Sequence, residues 1–186
     1  MRNHLYCSII FVFFFSGSLT AGNLTHPDDQ LLEHIAARSE TIEAEKRVLT
    51  LKGKINRLNP VHFDLPTFML LSEHSFTYKS HWTGDIKTYT GVSFIHLLNL
   101  LGLDESATHA EIIASNNYKI SIKISDLKKY DYLLAYKLNH KLYSEYAPKE
   151  DKGPISIAIN FDKHPEIDWE IYKHQLVWFV EAIIVK

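Results

Sequence analysis

The alternation of apolar and polar residues predicts many short β-strands with short helices between them. Residues 118–124 and 154–161 alternate strictly, which is the period of a half-buried strand, and residues 48–55 alternate more loosely. Runs of β-branched and aromatic residues predict further strands at 75–82, 86–92, 110–115, 132–138, 141–146 and 175–185. No strand–helix–strand rhythm connects them, so the pattern predicts an α+β domain dominated by mixed β-sheet.

Helices are predicted in a few places. Asp64 and Pro66 open a short helix, because proline in the first turn lacks only a hydrogen that has no partner there. Ser93 can cap a core helix that Gly102 closes. A helical lead-in is expected over residues 26–47, and a short helix or turn over residues 164–174.

The beginning of the chain has the three parts of a secretory signal peptide. Arg2 precedes an apolar run, residues 9–15, and small residues follow. The run is too short to cross a hydrocarbon core of about 30 Å, so no permanent membrane span is expected. We therefore expect residues 1–21 to be a signal peptide, residues 22–47 a helical lead-in or tether, and residues 48–186 the folded domain.

Charge and length exclude several classes of protein. The 186 residues suit one ordinary domain, and 20 Lys plus Arg nearly balance 22 Asp plus Glu. No basic block is longer than Lys128 and Lys129, so the cationic stripe of a nucleic-acid-binding protein is missing from the sequence.

Cysteine and histidine usage limits the chemistry. The only cysteine, Cys7, would leave with the signal peptide, so the mature protein would have no thiol for a disulfide, a metal or a nucleophile. The eleven histidines show neither an HExxH motif nor a pair at i and i+4, and no metal site is predicted from them. No nucleophile elbow or phosphate-binding loop is present, and no catalytic residue is assigned.

The order of the segments resembles the sulfite-oxidase-type molybdopterin-binding family, in a small exported form. The resemblance covers nearly all of the chain after residue 48 and rests on seven segments in the same order, namely VLTLKGKI, FDLPTFMLL, the stretch from Trp82 through YTGV to FIHLLNLLGL, SNNYKISIKIS, YLLAYKLNHKLY, DKGPISIAIN and YKHQLVWFVEAIIV. It implies a sulfite-oxidase-like fold, a mixed β-sheet domain with short inserted helices.

Two departures from that family concern its metal. The enzymes it resembles ligate molybdenum through a cysteine just before the Trp-containing turn, whereas this chain has Ser80 and His81 there. A serine hydroxyl is a poor replacement for a soft thiolate ligand. After processing only Arg38, Arg47 and Arg57 could hold the cofactor phosphate by two parallel hydrogen bonds. The molybdenum cofactor is therefore not expected.

The resemblance implies a non-enzymatic function for the form without cysteine. Similar exported proteins are thought to bind a free pterin and to report it to the periplasmic domain of an inner-membrane diguanylate cyclase or phosphodiesterase. We therefore expect a periplasmic pterin-binding sensor or adaptor. The alternatives are a molybdopterin-dependent oxidoreductase with Ser80 or His81 as an unusual ligand, and an assembly module with an empty pocket.

A pterin site needs aromatic plates and fixed polar partners for the edge of the ring. Each candidate also has a structural interpretation, either as a core residue or as part of a turn. The candidate plates are Trp82, Tyr136 and Trp178; the candidate partners of the ring edge are Asn116, Asn117 and Tyr118; Lys152 and Gly153 form a loop that could approach the ligand. The resemblance implies that Ser80 and His81 would face the space that the metal occupies in the enzymes. Tyr143 and Tyr146 are expected to be exposed and to offer a partner surface.

Overall fold

The fold was analysed in a computed structural model that describes residues 27–146 and 152–186. The expected signal peptide lies outside these residues. Within the two described ranges, no helix has both the length and the apolar character needed to cross a membrane.

Five short helices and ten strands alternate irregularly along the described chain. The helices are α1 (Pro27–Thr41), α2 (Leu65–Phe68), α3 (Phe94–Leu100), α4 (Ile124–Lys129) and α5 (Trp169–Tyr172). The strands are β1 (Leu49–Gly53), β2 (Val61–Phe63), β3 (Glu73–Lys79), β4 (Ile86–Ser93), β5 (His109–Ala114), β6 (Lys119–Lys123), β7 (Tyr132–Leu138), β8 (Lys141–Leu142), β9 (Ser156–Ile159) and β10 (Val180–Val185).

The strands form two sheets. The first has the order β2-β1-β10-β5-β6, in which β1 and β10 are parallel and the other neighbours antiparallel. The second has the order β3-β4-β7-β8, and β9 pairs with β7. Two sheets with a few short helices agree with the α+β class expected from the alternation of residues.

Alternating side chains supply the core. On the first sheet Leu51, Ile112 and Ile183 are fully buried, and on the second Leu134 is, as is Leu98 of α3. The strict alternation of β5, with buried Ala110, Ile112 and Ala114, arises because one face of the sheet packs inward.

Helix α1 packs on the edge of the first sheet rather than lying apart from it. Ile35 is fully buried, and α1 contacts β2. Nη2 of Arg38 donates a hydrogen bond to Oδ2 of Asp64 at 2.6 Å. The other carboxylate oxygen of Asp64 accepts from the backbone N–H of Thr67 at 2.9 Å and caps α2.

The structure differs from the sequence analysis in three local respects. The last strand begins at Val180, not at residue 175, so Trp178 lies in an irregular segment before it. Helix α4 follows β6 directly and was not expected. Tyr143 is not exposed: the residue is 1% accessible, and its hydroxyl shares a hydrogen bond of 2.6 Å with the Ser156 hydroxyl. Tyr146 is half-buried, and its hydroxyl donates a hydrogen bond to the Leu138 carbonyl.

Candidate functional site

Trp178 lies in an irregular segment whose backbone forms hydrogen bonds with chain segments on both sides. The Phe179 N–H donates to the Lys152 carbonyl at 3.0 Å, and the Phe179 carbonyl accepts from the Ser115 N–H at 3.0 Å. Phe179 itself has a φ of 55°, a left-handed conformation that costs a non-glycine residue about 1 kcal/mol or more. These contacts turn the chain into β10 and leave the Trp178 side chain 44% exposed.

Five aromatic rings meet beside this segment, and we call them the aromatic cluster: His81, Trp82, Phe161, Trp169 and Trp178. The imidazole of His81 stacks on Trp169 with 4.5 Å between ring centroids and 12° between planes. Trp82 meets Trp169 edge-on at 4.8 Å and Trp178 edge-on at 6.3 Å.

The aromatic cluster is partly exposed to solvent. Phe161 is buried and lies 5.2 Å from Trp169, so it ties the cluster to the core. Trp82 is 50% exposed. Indoles at this exposure leave apolar surface in water, which is the usual state of a binding surface rather than of a core.

A cavity of about 290 Å³ adjoins Trp178, and we call it the Trp178 cavity. Tyr118 lines it, is 42% exposed, and is oriented because its hydroxyl donates to the His174 carbonyl at 3.0 Å. Asn116 also lines it, while its amide oxygen accepts from the Tyr118 N–H at 3.0 Å. The cavity lining thus includes the aromatic residues Tyr118, Trp178 and Phe179, with the Asn116 amide beside them.

The loop at residues 152–153 lies next to the same segment. Nζ of Lys152 is 4.3 Å from the centroid of the Trp178 ring. Gly153 is buried, and a Cβ there would lie 2.7 Å from Cδ2 of Tyr143, closer than a side chain tolerates. Glycine at this position therefore lets the loop pass over Tyr143 and bring Lys152 to the indole.

Ser80 and His81 differ in what their side chains do. Ser80 is 3% exposed, and its hydroxyl accepts from the Thr83 N–H at 3.4 Å, while its backbone closes the same turn with Asp85 and Gly84. Ser80 therefore shapes the turn that places Trp82. His81 belongs to the aromatic cluster.

Two residues expected in the site do not line the Trp178 cavity. Tyr136 is buried on β7, packs edge-on against Phe68 of α2, and donates its hydroxyl to Glu73 at 2.7 Å. Burial, with the Glu73 bond second, raises the pKa of Tyr136. Asn117 has a φ of 67° and serves the β5–β6 turn, its N–H donating to the Ala114 carbonyl.

A larger cavity, of about 710 Å³, lies elsewhere, between α1, β3 and α3. We call it the His74 cavity. The rings of His74 and His96, which both line it, meet edge-on at 5.2 Å. None of the residues expected in the site from the sequence lines it.

Sequence reasoning missed Trp169 and Phe161. Trp169 begins α5 after the cap Asp168, whose side chain accepts from the Glu170 N–H at 2.9 Å. The chain has three tryptophans, of which two were singled out. The rarity of tryptophan could have indicated the third, whereas Phe161 sits in an ordinary apolar run with no distinguishing signal.

The described residues do not fit the molybdenum cofactor implied by the family resemblance. The hydroxyl of Ser80, which the resemblance implied as a replacement for the ligating cysteine, is buried and used by the turn. The three described arginines are engaged elsewhere, Arg38 with Asp64, Arg47 with the Ile42 carbonyl and Arg57 with Asp29, and none lines the Trp178 cavity. No group of three or more metal-ligating side chains occurs within residues 27–146 and 152–186.

Comparison with known proteins supports the fold alone. No family model and no curated protein matches the chain. The crystal structure of the sulfane dehydrogenase SoxCD from Paracoccus pantotrophus is similar, with a TM-score of 0.58 and 15% sequence identity. The match covers 77% of this chain and 39% of that one, so the chain spans about two fifths of the length of its structural neighbour.

Proposed function

We propose that this chain has a sulfite-oxidase-type fold and binds a free pterin at Trp178, without molybdenum and without catalysis. The single observation that carries the proposal is the position of Trp178, which both lines a cavity with Tyr118 and contacts the half-exposed Trp82. The structural likeness to SoxCD supports the fold half of the proposal.

The walls of the Trp178 cavity suit a flat ring. Stacking of a heteroaromatic ring on an aromatic side chain is worth about 1 to 3 kcal/mol. Tyr118 and Trp178 together therefore supply several kcal/mol, and a few hydrogen bonds at the ring edge bring the total near the roughly −8 kcal/mol of a micromolar complex. A cavity of about 290 Å³ has room for a bicyclic ring but little more.

The edge of a pterin offers donors and acceptors like those of guanine. The Asn116 side chain keeps its amide N–H groups for the cavity, because its oxygen is used by the turn. A flat hydrocarbon would leave that amide unpaired, which disfavours it relative to a heterocycle.

The adaptor half of the proposal concerns a partner. An exported pterin-binding protein without catalysis acts by contacting another protein, and we propose the periplasmic domain of an inner-membrane diguanylate cyclase or phosphodiesterase. Because Tyr143 and Tyr146 are packed inward, the exposed indole of Trp82 replaces them as the contact to test first. Trp82→Ala should abolish capture of that domain in a pull-down, and Ile171→Ala, at another exposed apolar residue, should not.

The decisive experiment is a fluorescence titration of the purified protein with 6-hydroxymethylpterin. We expect saturable quenching of tryptophan fluorescence with a dissociation constant of about 1 to 10 μM. Tyr118→Leu should weaken binding roughly tenfold, because one stacking wall is lost. Tyr136→Phe is the control, since this tyrosine lies in the core beside Phe68, and its affinity should equal that of the unmodified protein.

Two results would contradict the proposal. The first is an absence of saturable binding for every pterin tested. The second is stoichiometric molybdenum in protein purified from its native compartment, since the binding proposed here requires none.

A further inference from the structure

Lys152 places a half-buried ammonium group against Trp178. Its Nζ lies 4.3 Å from the ring centroid, and its backbone carbonyl is fixed by the Phe179 N–H. Of the described carboxylates, none forms an ion pair with it. A lysine at a protein surface normally keeps its charge in water, so this position needs an explanation.

The surroundings of Lys152 disfavour its charge. Burial, followed by the repulsion of Lys87, lowers the pKa of Lys152 to about 8. Contact with the indole face offsets only part of this, since a cation–π contact is worth roughly 0.5 to 1 kcal/mol at an exposed site. The described residues therefore compensate the positive charge of Lys152 only in part.

The Trp178 cavity repeats this charge bias. Lys173 and His174 line it, and no described carboxylate does. Lys173 pairs with Glu170, which lies outside the lining. A ligand bound here meets basic groups and amides and is not repelled by any acidic side chain of the lining.

We infer that the ligand of the Trp178 cavity carries an acidic group, a carboxylate or a phosphate, which pairs with Lys152 at the rim of the ring. This inference rests on the proposed function and adds to it the charge class of the ligand. Lys152 does not line the cavity itself, but its Nζ lies 4.3 Å from the centroid of the Trp178 ring, which does. An acidic substituent that extends past the edge of this indole would therefore meet the ammonium. The anion then supplies the compensation that the described residues lack.

The test compares ligands that differ in one substituent. 6-Hydroxymethylpterin is the neutral ligand, pterin-6-carboxylate the carboxylate, and 6-hydroxymethylpterin phosphate the phosphate. At about pH 7 the unmodified protein should bind at least one acidic pterin roughly tenfold more tightly than the neutral one, the effect of about 1.4 kcal/mol from one charge pair. The two acidic ligands then tell which group the protein prefers.

Lys152→Met isolates the ammonium group. It keeps the unbranched chain over Trp178, and the affinities for acidic and neutral pterins should come within about twofold of each other. Lys52→Met, at an exposed lysine of β1, should leave the preference unchanged.

The outcomes separate the two claims. Equal affinity for neutral and acidic pterins overturns the inference and leaves the proposed function standing. A preference for acidic pterins that survives in Lys152→Met also overturns it, because another group would then carry the recognition. Failure of all three ligands to bind overturns the proposed function itself.

Discussion

The Trp178 cavity and the His74 cavity differ in volume and in how far the groups around them are paired within the protein. The His74 cavity is the larger, about 710 Å³ against about 290 Å³. Its charged groups, however, are already paired: Arg57 with Asp29 at 3.6 Å, and Glu73 with the Tyr136 hydroxyl and with Lys137. A ligand would have to replace bonds that the protein makes to itself.

The Trp178 cavity is small, and its side chains are less satisfied. Tyr118 and Trp178 expose ring surface, and Lys152, which lies against Trp178 outside the lining, has no acidic partner among the described residues. Lys173, the lysine of the lining, is paired with Glu170. We therefore expect binding where exposed rings and incompletely paired groups converge, although the other cavity is larger. The His74 cavity lies where residues of α1, β3 and α3 approach one another.

The largest effect should come from removing the indole that joins the Trp178 cavity to the aromatic cluster. Trp178→Leu should weaken pterin binding roughly tenfold to hundredfold, the equivalent of about 1 to 3 kcal/mol of stacking. His96→Ala, which opens the His74 cavity further, should leave affinity unchanged. Fluorescence titration measures both, and circular dichroism melting should show that each variant is folded.

The reverse result would invert the comparison. If His96→Ala reduced pterin affinity and Trp178→Leu did not, the ligand would bind in the larger cavity, and the aromatic cluster would be a packing feature.

The next effect concerns Asp64, which joins α1 to α2 outside the lining of both cavities. Burial opposes ionisation of Asp64, but the bonds from Thr67 and Arg38 outweigh it and lower the pKa of Asp64. Asp64→Ala removes both the cap of α2 and the anchor of α1, and it should reduce the free energy of unfolding by about 2 kcal/mol. Urea denaturation measures this loss. Asp29→Ala, at an exposed pair with Arg57, should cost almost nothing.

The pH dependence of this contribution follows from its sign. A carboxyl group with a lowered folded-state pKa stabilises the fold above its unfolded pKa of about 3.9, and the contribution disappears as the pH falls through the folded value. The stability difference between Asp64→Ala and the unmodified protein should therefore shrink in acid. A difference that is the same at low pH would show that the carboxylate charge is not responsible.

Strand β6 was predictable because one of its faces packs inward, and the alternation of its residues records that directly. The alternation of residues 154–161 also marked a strand, but β9 is buried at all four positions and not half-buried as expected. The burial of Tyr143 was not predictable, because its side chain turns inward only when residues 152–156 cross over it, a contact between distant parts of the chain. Trp178 looked like a strand residue by composition, yet bonds from Lys152 and Ser115 to Phe179 hold that segment in a turn. Tertiary hydrogen bonds overrode a local β preference there.

The site was predictable as a set of residue types more than as an arrangement. Trp178 contacts both Trp82 and Lys152, which are distant from it in the sequence. Tyr118 and Asn116 line the same cavity as Trp178. Tyr136 could not be separated from them by sequence, since alternation along β7 does not say which face meets α2. Local periodicity assigns faces to strands, whereas the choice of neighbour across a face depends on the packing of whole elements.

The smallest effect distinguishes a residue kept for binding from one kept for folding. Lys152 binds its proton more weakly in the folded than in the unfolded state, so its charge destabilises the fold below its folded pKa of about 8. Lys152→Met should therefore raise the free energy of unfolding by about 1 kcal/mol at pH 7, a value discounted because the side chain is partly solvated. The gain should vanish above the unfolded pKa of about 10.4, where the unmodified protein carries no charge there in either state. Urea denaturation at these two pH values measures the change in the free energy of unfolding, with Lys52→Met expected to be neutral at both.

A loss of stability in Lys152→Met at pH 7 would contradict this prediction. The ammonium would then stabilise the fold by packing on Trp178, as Arg38 does by pairing with Asp64, and the contrast between the two regions would fail.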